Sequence, residues 1–441
     1  MRFTTFRISS LLALLALLLL SACGGSPASN SNTTPGTSGN ASTGVLDPNK
    51  KYSIDFWEAF ATGANKTTLE KLTQQYMQAH PNVTVKLTPY DSYNTLSTKL
   101  TASIAAGKTP ALAQVYENWA TKFVQADALA NLQPFIAGKN GLSQSDISDF
   151  FPAMWNDGQI NNTQYMLPFN KSDIVLYYNA DALQKAGLTP PATWQEFKDD
   201  LTKVTKAGQW GLSYTPDVDL WSILYKDAGG NKFVSDDGKS AEFGSSANAT
   251  AAKQALGDFA PLVKSGAIHV TNGFAWQNDF VSQKSLFAIS SVASYSFLQN
   301  LIKSTFKFSE APLPKGSATQ STVLFGTNVS IFSKADADSQ NAAWDYIKFL
   351  TSTQANTTFV EGTGYMPIRQ SSYTGSIMNS ADRKAGPDSV KFSFVASIAP
   401  AWAQCRDIIS NNFISALRGQ LTSDVALTKM TQTCTSNLSQ D

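Results

Sequence analysis

The stretch 166–197 constrains the fold more than any other part of this 441-residue chain. A turn-forming Pro-Phe-Asn segment at 168–170 leads into an apolar run at 174–178, and this pattern predicts a strand. A double proline then interrupts the chain, and the capping box formed by Thr193 and Glu196 predicts the start of a helix. The order of turn, strand and capped helix indicates that the chain leaves one compact unit here and enters another.

Helix and strand signals alternate along most of the chain, which predicts an α/β fold. A strand at 52–56, a helix beginning at the Thr67-x-x-Glu70 capping box and a strand at 83–87 indicate a parallel βαβ unit. A further strand over 111–116 delivers Glu117 to its carboxyl end, where ligands collect in open α/β sheets. The length exceeds one average core and predicts two or three domain-sized units.

The composition excludes several classes of function. The formal net charge of +1 gives no electrostatic reason to expect nucleic acid as a partner. The chain contains two histidines, His80 and His269, so few imidazole groups are available for a metal site or a Ser-His triad. We find no nucleophile elbow, phosphate-binding loop, zinc motif or paired cysteine motif. We therefore predict a protein that is not an enzyme and needs no cofactor or metal, although a two-carboxylate glycosidase stays open.

The N-terminus has the pattern of an export signal. Two arginines precede an apolar run at 11–20, and small residues follow, so we predict a signal peptide over 1–22. The sequence Leu-Ser-Ala-Cys ending at Cys23 resembles the lipobox of bacterial lipoproteins, which implies a lipid on Cys23. The alternative is an ordinary signal peptide with a chance cysteine. The polar, glycine-rich and serine-rich segment that follows predicts a flexible tether over 23–49.

Two cysteines remain once Cys23 is set aside, namely Cys405 and Cys434. An even number of cysteines in an oxidising compartment favours a disulfide between them. Two buried free thiols are the alternative.

Four short motifs carry a resemblance to a known family. They are the Pro-Phe-Asn turn at 168–170, Leu-Tyr-Tyr-Asn at 176–179, Lys-Ala-Gly-Leu at 185–188 and Thr-Trp-Gln at 193–195. In this order they resemble the inter-lobe crossover of ABC-importer solute-binding proteins, most closely the branch that binds sn-glycerol-3-phosphate. The resemblance covers most of the mature chain and is weak between Gly211 and Gly273.

The resemblance implies a two-lobed periplasmic-binding-protein fold of type II, with the ligand in a cleft between the lobes. It places lobe 1 at 50–170 plus 327–378 and lobe 2 at 171–326 plus 379–441.

The resemblance also implies ligand contacts. An arginine offers a planar fork to phosphate oxygens, a glutamate accepts from ligand hydroxyls, and tyrosines supply an apolar face and a donor. Two tryptophans are candidates to line the cleft. The implied contacts are Tyr93, Glu117, Ser172, Gly326, Tyr365, Arg406 and one of Ser290, Ser291 and Ser294, represented by Ser291; the cleft aromatics are Trp57 and Trp221.

Each of these residues also has a structural interpretation. Glu117 can be a solvated strand-end carboxylate, and Tyr93 lies on the apolar stripe of its helix. Gly326 can be required by a positive φ or a bulge, and Ser172 can satisfy a turn. Arg406 can form an ion pair on a helix surface, and tryptophans are more often core residues.

The function implied by the resemblance is a monomeric, lipid-anchored receptor on the outer face of the cell membrane. It would capture glycerol-3-phosphate or a carbohydrate and deliver it to ABC permease subunits. An oligosaccharide receptor is the alternative within this class. A secreted glycoside hydrolase and a surface adhesion module are the alternatives from other classes.

Overall fold

The protein is described by a computed structural model over residues 44–373, 380, 382–399 and 401–440. The predicted signal peptide, the lipidation site at Cys23 and most of the predicted tether lie outside the described residues. Within the described part, no helix combines the length and the hydrophobicity that a membrane crossing requires.

The strands form two five-stranded mixed sheets and two small two-stranded pairs. Their bounds are β1 Tyr52–Glu58, β2 Val83–Pro89, β3 Leu112–Val115, β4 Gln159–Ile160, β5 Thr163–Gln164, β6 Leu167–Ser172, β7 Ile174–Asn179, β8 Trp210–Tyr214, β9 Ile268–Val270, β10 Ser285–Ser291, β11 Phe308–Ala311, β12 Thr322–Val323, β13 Phe325–Ile331 and β14 Ser393–Phe394.

The helices lie between the strands and cover the sheets. Their bounds are α1 Gly63–Ala79, α2 Tyr93–Ala105, α3 Glu117–Gln125, α4 Gln133–Ile136, α5 Gln144–Asp149, α6 Pro152–Asp157, α7 Ala180–Lys185, α8 Trp194–Val204, α9 Val218–Asp227, α10 Ala249–Gly257, α11 Ala260–Ser265, α12 Ala275–Val281, α13 Tyr295–Ile302, α14 Ala337–Leu350, α15 Thr353–Thr363, α16 Ala385–Ser389, α17 Trp402–Leu417 and α18 Ser423–Leu438.

Lobe 1 is the part built on the sheet with strand order β2-β1-β3-β13-β6. Strand β1 pairs in parallel with β2 and β3, as the predicted βαβ unit requires. Strand β13 returns from far along the sequence and runs antiparallel to β3 and β6. The core of lobe 1 forms where α1, α14 and α15 bury apolar side chains against this sheet.

Lobe 2 is built on the sheet with strand order β11-β7-β10-β8-β9. Strand β10 runs parallel to β8 and antiparallel to β7. Helices α8, α9, α10, α17 and α18 contribute to the core of this lobe.

Two passages of the chain between the lobes lie close together in space. Asp173 alone separates β6 of lobe 1 from β7 of lobe 2. Leu324 separates β12 from β13, and Thr322 Oγ1 donates to the carbonyl oxygen of Ile174 at 2.9 Å. The predicted change of compact unit within 166–197 is therefore found in the structure, between adjacent strands. The full lobe boundaries given above stay a prediction.

Two local predictions, on the start of a helix and on the end of the tether, need correction. Helix α1 begins at Gly63 rather than at the predicted Thr67 capping box, and the Thr67 hydroxyl bonds back to carbonyl oxygens within the helix. Residues 44–49, assigned to the tether, contact lobe 1: the Gly44 amide donates to Asn341 Oδ1 at 2.8 Å. The tether can therefore extend no further than residue 43.

The predicted disulfide between Cys405 and Cys434 is absent. Both residues are buried free thiols in the core of lobe 2, one on α17 and one on α18. The Cys434 thiol donates to the carbonyl oxygen of Cys405, with a sulfur–oxygen distance of 3.9 Å, instead of bonding to the other sulfur. The alternative of two buried thiols is what the structure contains.

Candidate functional site

A cavity of about 370 Å³ brings together residues of both lobes. One wall consists of the start of α2 and the β3–α3 junction of lobe 1. The opposite wall consists of the crossing between β12 and β13, the segment that precedes α17, and the first turns of α17. The lining residues are Tyr93, Asn94, Tyr116, Glu117, Asn118, Trp119, Val323, Leu324, Phe325, Ala396, Ser397, Trp402, Ala403, Arg406 and Asp407.

A cluster of aromatic hydroxyls forms the lobe 1 wall. The hydroxyl oxygens of Tyr93 and Tyr365 lie 3.4 Å apart, so the structure brings these two predicted residues together, but only Tyr93 lines the cavity. The ring of Tyr116 meets Tyr93 edge to face at 5.2 Å and meets Trp119 at 5.1 Å. This wall offers both ring faces and hydroxyl groups to a ligand.

The position of the Tyr93 hydroxyl is fixed by a buried amide. Asn170 Nδ2 donates to it at 2.9 Å. The side-chain oxygen of the same residue, Asn170 Oδ1, accepts from Gln114 Nε2 at 3.0 Å and from the Thr327 hydroxyl. Asn170 therefore lies in strand β6 as part of a hydrogen-bonded network, a role that its place in the predicted turn does not reveal.

Glu117 is the first residue of α3, and Tyr116 alone separates it from β3, so it lies at the end of the strand as predicted. Its Oε2 atom is buried, and no described residue donates a hydrogen bond to it. Burial raises the pKa of this carboxyl to about 7, and the charge of Asp157 adds to the effect, whereas Lys171 and Arg406 oppose it. The free oxygen gives the cavity an acceptor with no protein partner.

A buried ion pair lies near Glu117. The side chains of Lys171 and Asp157 are 1% and 2% exposed and are paired with each other. The ammonium also donates to the Gly326 carbonyl oxygen at 3.0 Å, and Asp157 accepts from Asn328 Nδ2 at 2.8 Å. This pair is therefore bonded to two residues of strand β13, Gly326 and Asn328.

Arg406 reaches the cavity from α17 and is already paired. Its Nη2 atom donates to Asp219 Oδ2 at 3.1 Å, and Nη1 lies 2.9 Å from Asp219 Oδ1. Asp219 lies in the first turn of α9, whose N-cap Asp217 accepts from the backbone amides of Asp219 and Leu220. Burial and the neighbouring Asp219 charge raise the pKa of Asp217 to about 6.

The remaining predicted contacts have structural roles and do not line this cavity. Ser172 is buried in β6, and the Ser291 hydroxyl accepts from the Ala293 amide at 3.1 Å. Ser290 and Ser294 bond to each other through their hydroxyls. Gly326 has a φ of +101°, and a Cβ there would lie 2.2 Å from the backbone carbonyl oxygen of Asn170. Glycine is therefore required by this backbone conformation.

The two predicted cleft aromatics need correction. Trp221 is 0% exposed and stacks on Tyr225 in the core of lobe 2. Trp57 packs edge to face on Tyr90 at 5.4 Å, and its indole donates to Asp55. Trp119 and Trp402 are the tryptophans that line the cavity. The sequence analysis did not predict either of them. Both tryptophans lie close in sequence to predicted contacts, Trp119 to Glu117 and Trp402 to Arg406. This proximity was the sequence signal that could have identified them.

No group of histidine, cysteine or carboxylate side chains in the described part of the chain is arranged to hold a metal ion. A larger groove, of about 570 Å³, lies on lobe 2 and is lined by four lysines together with Trp210. It contains none of the predicted contacts. We take the inter-lobe cavity as the candidate site because Tyr93, Glu117 and Arg406 all line it.

Known proteins share this architecture. The GacH receptor of Streptomyces glaucescens, solved unliganded and with acarbose, is similar with a TM-score of 0.76 and 22% identity, covering 88% of this chain and 98% of that one. UgpB from Mycobacterium tuberculosis, solved with glycerophosphocholine, is similar with a TM-score of 0.73 and 21% identity, covering 88% and 98%. These similarities confirm the predicted two-lobed periplasmic-binding-protein fold.

Sequence comparison gives the family. The sn-glycerol-3-phosphate-binding periplasmic protein UgpB of Rhizobium meliloti (strain 1021) is 25% identical over 403 residues, which cover 85% of this chain and 91% of that protein. The sequence model of the bacterial extracellular solute-binding proteins matches residues 71–387. Since this match spans more than half of the 441 residues, the chain belongs to the family of bacterial extracellular solute-binding proteins.

Proposed function

We propose that the protein is the ligand-capturing receptor of an ABC importer, and that it binds a phosphorylated polyol such as glycerol-3-phosphate or a carbohydrate. One observation carries this proposal: the inter-lobe cavity, in which Glu117 and Tyr93 of lobe 1 face Arg406 of lobe 2. A volume of about 370 Å³ is in the range of small-molecule sites. The relatives named above bind ligands of both chemical classes, which supports leaving both in the proposal.

The mechanism that fits this geometry is ligand-dependent closure. A ligand that contacts both walls favours the closed arrangement by the contacts that it makes only there. Thr121 of α3 already donates from its hydroxyl to the Ile398 carbonyl oxygen at 2.9 Å, so direct contacts between the two sides of the cleft add to this preference. The closed form would then be the one that a permease recognises.

We further propose that a lipid on Cys23 anchors the receptor at the outer face of the membrane, that it acts as a monomer, and that it releases its ligand unchanged. The predicted ligand contacts at Tyr93, Glu117, Tyr365 and Arg406 are part of the same proposal. So are Ser172, Ser291 and Gly326. These three do not line the cavity, so a ligand would have to extend toward the strands that carry them in order to contact them. An incubation with a bound oligosaccharide should give no product.

Tryptophan fluorescence provides a direct test, because Trp119 and Trp402 line the cavity. We expect a saturable change on titration with at least one member of a panel of glycerol-3-phosphate, glycerophosphodiesters and di- to tetrasaccharides. The Trp119→Phe variant should lose most of the signal. Trp210→Phe is the matched control, since Trp210 stacks on His269 elsewhere on lobe 2 and should keep the response.

Two results would contradict the proposal. One is a lack of response to the entire panel, confirmed by calorimetry. The other is a fluorescence change that Trp119→Phe retains and Trp210→Phe removes, because the ligand would then bind outside the cavity between the lobes.

A further inference from the structure

The guanidinium that a phosphate would need is occupied by a carboxylate of the protein. Both terminal nitrogens of Arg406 face the two oxygens of Asp219, at 3.1 Å and 2.9 Å. A planar guanidinium meets a carboxylate and a phosphate with the same pair of N–H groups. A phosphorylated ligand would therefore have to displace Asp219 or bind to the remaining edge of Arg406.

The backbone that carries Asp219 is held in place. Asp219 lies in the first turn of α9, and its own backbone amide donates to the N-cap carboxylate of Asp217 at 3.1 Å. The preceding amide, that of Val218, donates to the Ser410 hydroxyl on α17 at 2.9 Å. The helix that carries Asp219 is thus tied to the helix that carries Arg406, and the ion pair is held from both sides.

The charges around the cavity also disfavour an anion. Glu117 and Asp407 line the cavity, and Asp217 and Asp219 lie beside Arg406. The other nearby cation, Lys171, is fully buried and paired with Asp157. Arg406 and Lys171 are both already paired with carboxylates, so among these residues a phosphate finds no free positive charge.

The same atoms suit a neutral ligand that carries hydroxyl groups. Both oxygens of Asp219 face Arg406, but the buried Oε2 atom of Glu117 receives no hydrogen bond within the described structure. A sugar hydroxyl can donate to such an oxygen, whereas a phosphate oxygen cannot. The ring of Trp119 provides apolar surface for the C–H face of a sugar, whereas Trp402 is buried in the core of lobe 2.

We propose that Asp219 is the specificity-determining residue of the cleft: by holding Arg406 it makes the site select uncharged saccharides over phosphorylated polyols. The inference rests on the proposed receptor function and narrows its ligand class. It departs from the interpretation in which Arg406 binds phosphate and agrees with the alternative of an ion pair, whose partner the sequence did not identify.

The decisive variant is Asp219→Asn, titrated by calorimetry with inorganic phosphate and with sn-glycerol-3-phosphate. Removal of the competing charge should strengthen the binding of both probes by at least about tenfold relative to the wild type. Asp219→Glu keeps the charge and should give no such gain. Asp258→Asn is the matched control, because it removes the carboxylate of another lobe 2 ion pair, with Lys198, that does not line the cavity. It should change phosphate binding by less than about threefold.

The outcomes separate this inference from the function on which it rests. Wild-type protein that binds a neutral di- or trisaccharide more tightly than glycerol-3-phosphate, together with a gain in Asp219→Asn, supports the inference. Wild-type protein that prefers glycerol-3-phosphate overturns the inference and leaves the receptor function in place. A properly folded Asp219→Asn protein, judged by its melting curve, that gains no phosphate affinity overturns it as well. Failure of every probe with the wild type counts against the receptor function instead.

Discussion

Replacement of Lys171 by methionine tests whether the buried ion pair beneath the cleft is required for stability. The Lys171 ammonium contacts Asp157 and the Gly326 carbonyl oxygen, and both partners of the ion pair are almost fully buried. Methionine has a similar shape but no charge, so Asp157 would keep only its hydrogen bond from Asn328. Removing one partner of a buried pair costs about 3–5 kcal/mol, since the remaining charge is uncompensated.

A loss of this size is a large fraction of a typical unfolding free energy of about 5–15 kcal/mol. Urea unfolding followed by circular dichroism should show it as a lower transition midpoint with an unchanged slope. The double variant Lys171→Met with Asp157→Asn removes both charges and should recover at least about 2 kcal/mol of the loss.

Lys198→Met provides the matched control. Lys198 is also paired with an aspartate, Asp258, but the side chains are 22% and 21% exposed. Water screens such a pair, and its loss should cost less than about 1 kcal/mol. The reasoning is refuted if Lys171→Met costs no more than the control, or if Asp157→Asn adds its own loss instead of restoring stability.

Two further substitutions test the backbone and the buried acids. Gly326→Ala should destabilise the fold by at least about 2 kcal/mol, since φ is +101° and the new Cβ would meet the Asn170 carbonyl oxygen at 2.2 Å; an unchanged urea midpoint would contradict this. Burial raises the pKa of Glu310 to about 8 from an ordinary 4.5, so its contribution to wild-type stability is present below about pH 4.5 and is lost as the pH rises through 8. The melting temperature of Glu310→Gln should therefore fall less between pH 5 and pH 9 than that of the wild type. An equal fall in both proteins would exclude Glu310 as the cause of the pH dependence.

The sequence predicted the parts of the fold that depend on local patterns. The Thr193–Glu196 capping box is formed, and the strand before Glu117 places that carboxylate at the cavity. The similar Thr67-x-x-Glu70 pattern failed because threonine and glutamate at this spacing also occur inside helices, where the hydroxyl can bond back to a carbonyl oxygen. Local spacing alone does not separate the two cases.

The sequence did not predict the partners that the fold supplies from distant positions. Asp219 and Arg406 are 187 residues apart, and no pattern of residue types relates them. Lys171 follows a Pro-Phe-Asn segment that predicts a solvated turn, yet the segment is a buried strand, because β13 returns to pair with it. Long-range pairing of this kind changes a polar residue from a surface group into part of the site.

The same long-range pairs determine what the cleft can select. Tyr93 is fixed by Asn170, and Arg406 is fixed by Asp219, so these side chains lose little freedom when a ligand arrives. Groups that are already bonded contribute to affinity only through the lone pairs and edges that remain. A ligand that donates a hydroxyl to the free oxygen of Glu117 gains a new bond, whereas one that supplies only acceptors must first break the pair of Arg406 and Asp219. Selectivity in this cleft therefore follows from the hydrogen-bonding capacity that the fold leaves unused.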